Sequence, residues 1–176
     1  MVNTNINETW NPYLKAGEDV EIEFLNELKK TFPLAYKVRG KVKETDIVVP
    51  ELGDLLIEIK RDFKSDETGN FAIEYWSWNK PSGIATTLSE LWVMTDHRNF
   101  YIFSVSRLKE FMRNNWKYLT KTNAGDSMAS KIILVKKKDA IKWAKPCIIR
   151  RIDRAYGEQT IGDYISFEYR YRQIKK

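Results

Sequence analysis

The stretch TDIVVPELGDLLIEIKRD, residues 45–62, decides how the chain is read. It holds an acidic residue, a run of apolar and β-branched residues, a turn signal, and then Glu58-Ile59-Lys60. Segments 35–49 and 55–61 are rich in Val and Ile and flank Pro50-Glu51-Leu52-Gly53-Asp54, which predicts a hairpin closed by a five-residue loop. With the loop centred near Leu52, residues whose numbers sum to 104 stand opposite one another, so Asp46 faces Glu58. Strand alternation puts Lys60 on the face of Glu58 and turns Ile57 and Ile59 toward the core. An ordinary hairpin with charges on its wet side has the same alternation.

Cross-strand neighbours have Cβ atoms about 5 Å apart, and two carboxylates at that distance repel unless a proton or a cation intervenes. A divalent cation with oxygen ligands at about 2.1 Å fits between them. A lysine beside the ion is no ligand, being cationic itself, but it holds or deprotonates a water and meets a phosphate oxygen. Carboxylates, metal and lysine together suit phosphodiester hydrolysis.

Upstream, residues 16–32 (AGEDVEIEFLNELKKTF) have helical spacing. At about 100° per residue, Val20, Phe24, Leu25, Leu28 and Phe32 fall within an arc of roughly 140°, and Pro33 marks the end. Glu21 falls inside that arc, whereas Glu18, Asp19, Glu23 and Glu27 lie outside it or at its margins. A carboxylate facing a core needs compensation: either it snorkels or the register shifts, or it reaches the charged face of the hairpin.

Downstream, GNFAIEYW (69–76) reads as a third strand, and LWVMT (91–95) with FYIFSV (100–105) as a second strand-turn-strand unit about Asp96-His97-Arg98-Asn99. Ser106 is a plausible N-cap for RLKEFMRNNW. KIILVKKKDAIKWA (131–144) reads either as one strand and a short helix or as a longer hairpin. There is no repeat and no low-complexity linker. This order predicts a single α/β or α+β domain, residues 1–176, around one mixed central sheet flanked by helices.

A chain of 176 residues, 43% hydrophobic and 31% charged, buries enough apolar surface to fold without disulfide or structural metal. One cysteine, Cys147, excludes an internal disulfide and a cysteine-rich zinc site; it reads as a small residue in an apolar run and suits a reducing compartment. No run of about 18 apolar residues occurs, and MVNTNINETWNPY lacks the pattern of a signal peptide. The expectation is an intracellular, cytoplasmic protein with no membrane partner. The net charge of +6 is concentrated late in the chain, in Lys136, Lys137, Lys138, Arg150, Arg151, Arg154, Arg170, Arg172, Lys175 and Lys176. Such a patch favours a polyanion through counterion release.

Asp46, then Glu58-Ile59-Lys60 after a hairpin, with Glu21 on a preceding helix, resembles the core of the PD-(D/E)XK nuclease superfamily, which includes restriction endonucleases, Holliday-junction resolvases and phage recombination nucleases. The resemblance covers about residues 17–105 and leaves a basic C-terminal subregion, about 106–176, unassigned. It implies a restriction-endonuclease-like fold: a helix, three strands, a helix and a further strand. It implies Asp46 and Glu58 as metal ligands, the Ile59 carbonyl as a further ligand, Glu21 as an accessory carboxylate, and Lys60 as the residue that positions or activates water. The metal would be Mg²⁺, with Mn²⁺ able to substitute, and the activity DNA endonuclease. Lys136, Lys137, Lys138, Arg150 and Arg151 would grip DNA. Restriction enzymes and resolvases usually pair to cut two strands, so a homodimer is expected from the resemblance alone. A stand-alone nuclease of this type would suit a phage, a mobile element or a repair pathway. The alternative is the same fold used as a nucleic-acid-binding module without catalysis.

Glu-x-Lys is a weak signal by itself, and Glu27-Leu28-Lys29 repeats it on the predicted helix. Strand context and Asp46 at pairing distance single out Glu58-Ile59-Lys60, although Thr45 stands where the family usually has proline. With His97 the only histidine, and in a turn, histidine-metal nucleases are excluded, and no phosphate-cradling glycine motif occurs. Glu74 is a candidate accessory carboxylate or an ordinary polar position. Tyr75, Trp76 and Trp78 read as core, with stacking on unpaired bases as the other role. Ser82, Thr86 and Thr87 are candidate phosphate contacts from a loop.

Overall fold

In a computed structural model the described residues are 12–38, 45–124, 129–151 and 160–166, with side chains from Gly17 onward in the first segment. Arg154, Arg170, Arg172, Lys175 and Lys176 lie outside them. The chain is mixed α/β, with a mixed central sheet flanked by helices.

Helix α1 is Pro12–Leu28. It stops short of the predicted Phe32, because the next amides bond at shorter range: Lys30 N–H to Glu27 O at 3.2 Å and Thr31 N–H to Leu28 O at 3.1 Å. The predicted strand 35–49 is instead two strands, β1 (Tyr36–Lys37) and β2 (Ile47–Val49), paired antiparallel. β2 pairs antiparallel with β3 (Leu55–Arg61) in the register Ile47 with Ile57, Val48 with Leu56 and Val49 with Leu55. The loop is a 3-10 turn, Pro50–Leu52, followed by Gly53 at φ 63°, where glycine has no Cβ penalty. The predicted hairpin and its centre at Leu52 are therefore both present.

β3 does not continue to the next predicted strand. A one-turn helix α2 (Ser65–Thr68) leads to β4 (Asn70–Ser77), which belongs to a second, antiparallel sheet of order β5-β4-β9-β8. Its other members are β5 (Lys80–Pro81), β8 (Thr120–Ala124) and β9 (Ser130–Lys136). The expectation of one sheet is thus corrected to two. β3's other neighbour is β6 (Leu91–Thr95), parallel to it, and β6 pairs with β7 (Asn99–Ser104) and that with β10 (Cys147–Arg150). Helix α3 (Val105–Asn115) begins after Ser104, not Ser106; the two hydroxyls bond each other at 2.8 Å. The 131–144 alternatives resolve to strand β9 followed by helix α4 (Lys137–Ala144).

The alternation of β3 divides the interior in two. Ile57 and Ile59 face a core shared with Val20, Phe24 and Leu28 of α1, and Phe24 meets Phe100 edge-on at 5.1 Å. The other face of β6 and β7, through Trp92, Met94, Tyr101 and Phe103, meets Phe71 and Ile73 of β4, Ile133 and Val135 of β9, and helices α3 and α4.

A short helix over residues 161–166 returns to the first core and buries Ile161 and Ile165 there. Gly162 makes this docking feasible: a Cβ at that position would stand 2.0 Å from Thr31 Oγ1 and 2.2 Å from Thr31 Cβ. Gly162→Ala is therefore expected to lower stability by about 1–3 kcal/mol through overpacking, read as a fall in the urea midpoint. An unchanged midpoint would mean that this helix does not pack against Thr31, in the turn after α1.

Candidate active site

The hairpin register carries the acidic pair to one place. One step beyond the last β2–β3 rung, Asp46 N–H bonds Ile57 O at 3.0 Å, and its Oδ2 accepts the Ile59 N–H at 2.6 Å. Asp46 is thereby fixed against β3 with its other oxygen uncommitted to that bond. Thr45, in the position before it, is buried and donates its hydroxyl to Ile57 O at 3.1 Å. It secures the strand crossing by a hydrogen bond that proline has no hydroxyl to make.

Glu58 is 4% exposed. Its Oε1 forms an ion pair with Lys60 two residues on, while its Oε2 is buried with no hydrogen-bond partner. Burial pushes the Glu58 carboxyl above the usual carboxylate range, and the charges of Asp46 and Glu21 push the same way against the opposing pull of Lys60. Burial works to lower the Lys60 ammonium, but the carboxylates of Glu58, Asp46 and Glu21 outweigh it and hold it above its ordinary value. Its Nζ also lies 5.7 Å from the ring centre of Trp92, the β6 residue in register with Glu58.

Glu21 comes to this cluster from α1 without entering the apolar core. Its Oε2 pairs with Lys37 Nζ of β1 at 2.8 Å, and Glu18 stands 3.8 Å from the same ammonium. Lys37 answers the compensation that a carboxylate on the packed side of α1 demands. Burial opposes its charge, but Glu21, Glu18 and Asp46 raise it. The site therefore has three carboxylates and two lysines, of which Lys37 is absent from the sequence expectations. Its signal was Gly40, a turn residue within the supposed strand 35–49. The antiparallel pairing of β1 with β2 sets Lys37 opposite Ile47, beside the Asp46 end of β2.

Searches against family models, curated proteins and solved structures find no match for the chain.

Among the described residues no three of His, Cys, Asp and Glu form a metal-sized cluster. Mg²⁺, however, is commonly held through one or two carboxylates while keeping several waters, and Asp46 with the unpartnered Oε2 of Glu58 supplies that donor type. The hard-oxygen chemistry fits; the Ile59 carbonyl and Glu21 would be the further candidates.

The remaining predicted residues are placed elsewhere. Glu74 accepts the Ser82 hydroxyl at 2.8 Å within the second sheet's β4 region. Thr87 is buried and Thr86 exposed. Of the aromatic run expected in the core, Tyr75 and Trp76 are half-buried and Trp78 is exposed. His97 is exposed in its turn, stacked on Phe63 at 4.0 Å.

The basic residues divide in two. Lys136, Lys138 and Arg150 are exposed. Lys137 and Arg151 are committed inward: Lys137 Nζ meets Asp96 Oδ2 at 2.6 Å, and Arg151 binds Glu23 and donates to the Asp96 carbonyl at 2.9 Å.

Proposed function

We propose that the chain is a Mg²⁺-dependent DNA endonuclease of the PD-(D/E)XK type, hydrolysing phosphodiester bonds at Asp46, Glu58 and Lys60. The observation that carries this reading is Glu58 Oε2, a buried carboxylate oxygen with no hydrogen-bond partner, set among like charges. Burying a carboxylate oxygen without a hydrogen bond is costly even where its sister oxygen is paired with Lys60, and a fold that keeps such an atom in place has reason to do so.

Asp46 and Glu58 would hold the ion, with the Ile59 carbonyl and Glu21 as supplementary oxygens. When bound, the ion supplies Lewis acidity toward a phosphoryl oxygen and makes a bound water more acidic. The Ile59 N–H orients the Asp46 carboxylate. Lys60, kept protonated by its acidic neighbours, donates hydrogen bonds to a phosphate oxygen or to the attacking water and leaves Glu58 to do so. Lys37 keeps Glu21 at the edge of the site.

A second reading has its own observation: Lys60 and Lys37 already neutralise two of the three carboxylates internally. On that reading the same fold binds nucleic acid without cutting it. Incubating the chain with plasmid, single-stranded and branched DNA in Mg²⁺ or Mn²⁺ separates the two. Cleavage of at least one substrate that stops in chelator is expected. No cleavage of any, together with DNA binding in chelator and no cation binding, selects the module.

A further inference from the structure

Away from the acidic cluster, helix α3 and its C-cap residue Trp116, still in helical conformation, present Lys109, Met112, Arg113 and Trp116 at spacings of three, four and seven residues, which is one stripe of a helix. This stripe forms one wall of an open groove of about 540 Å³. Tyr75 of β4 and the 3-10 turn Gly83–Ala85 form the other. That turn is seated close: a Cβ on Gly83 would stand 2.4 Å from Glu74 O, so only glycine lets it approach β4 at this distance.

Trp116 is 43% exposed and held in place. Tyr75 meets it at 5.4 Å and 87°, and the Lys121 ammonium sits 4.8 Å from its ring centre while bonding the Trp116 and Leu119 carbonyls. A ring fixed in this way loses little further freedom when a planar ligand stacks on it. Two cations, Lys109 and Arg113, line the groove, and no carboxylate does. Aromatic faces interleaved with cations match a polyanion whose bases are free to stack; a duplex hides those faces within its own stack.

We infer that this groove binds unpaired nucleotides of DNA, a base stacking on Trp116 and its flanking phosphates meeting Lys109 and Arg113. The inference rests on the nucleic-acid partner of the proposed function and not on its chemistry. It gives that function a substrate class: DNA with a single-stranded segment, such as a flap, a gap or a branch.

The test is fluorescence anisotropy in chelator, with labelled oligodeoxythymidylate and a blunt duplex of equal length. The single strand is expected to bind more tightly. Trp116→Ala should weaken it by about 5- to 140-fold, the span of one lost base–aromatic stack, and leave the duplex nearly unchanged. Trp116→Tyr, which keeps a ring, should retain most of the affinity and shows that loss in the alanine variant is not unfolding. Lys109→Ala and Arg113→Ala should each reduce the salt slope by about 0.7.

Equal affinity for duplex and single strand, or single-strand affinity indifferent to Trp116, overturns the inference. So does concentration-dependent self-association that Trp116→Ala abolishes in a chain that binds no single strand, which would assign the groove to a second copy. Cleavage by the parent chain in Mg²⁺ is scored separately. Groove-dependent binding without cleavage removes the nuclease reading alone, and cleavage with an indifferent groove removes this inference alone.

Discussion

Glu58→Gln is expected to reduce metal-dependent cleavage by about 10³-fold or more while raising the melting temperature in chelator by a few degrees. The two effects have one cause. The fold holds the Glu58 carboxyl above its ordinary range, because burial and the charges of Asp46 and Glu21 oppose its ionisation more than Lys60 supports it. The amide imitates the neutral form, still accepts from Lys60, and removes the buried charge. Any ion that binds the native site and not the unfolded chain stabilises by RT ln(1 + [L]/Kd), about 2.7 kcal/mol at a hundredfold excess over Kd. Mg²⁺ should therefore raise the melting temperature of the parent chain and leave that of Glu58→Gln where it was. Lys60→Ala separates the roles of its neighbours: it should keep ion binding, since it removes no ligand, and lose about 10²- to 10³-fold in rate. If either variant cuts as fast as the parent, the site is wrongly assigned.

Asp96→Ala is expected to cost about 3–5 kcal/mol, the scale for removing one partner of a buried pair, and to lower the melting temperature by about 10 °C. Asp96 is 1% exposed and fully engaged. It accepts from Lys137 Nζ at 2.6 Å, the Tyr101 hydroxyl at 2.8 Å, Arg98 N–H at 2.8 Å and Asn99 N–H at 2.7 Å. It ties the β6–β7 turn to the start of α4 across the two sheets. Burial by itself would raise its carboxyl, but Lys137 and the three other donors bring it down to about 2. A carboxylate whose folded pKa lies below its unfolded value contributes stability in full above the unfolded value, near 3.8, and loses it as pH falls toward 2. The acid limb of unfolding should thus flatten between about pH 4 and pH 2 in Asp96→Asn. Asp66, exposed and 3.4 Å from the same lysine, is the control: Asp66→Ala should cost no more than about 1 kcal/mol. Equal costs for the two would mean that Asp96 is not the anchor.

The hairpin was legible because everything that sets its register is local. The turn residues Pro50 to Asp54 fix the centre and the alternation of Ile57 and Ile59 fixes the faces, so Asp46 and Glu58 follow. Glu21 was half legible: its place on the helix wheel marks it as unusual, but its partner Lys37 depends on the antiparallel pairing of β1 with β2, which the Val and Ile content of 35–49 does not show. β4 was legible as a strand but not as a member of another sheet, because its choice of β9 over β3 is made by side chains far along the chain, Ile133 and Val135. The same is true of Asp96, whose turn-forming side is visible in Asp96-His97-Arg98-Asn99 while Lys137 is not. The basic run Lys136-Lys137-Lys138 shows the limit of charge counting: its middle residue is used internally.

Both sheets end in strands poorly made for being extended. β1 and β5 are two residues long, β8 is the polar, largely exposed TKTNA, and β10 has four residues and ends on Arg150. An incoming strand would find few free amides and carbonyls in a row, or would lie beside charge. Among the described residues, then, the sheet edges offer little for another chain to join edge to edge.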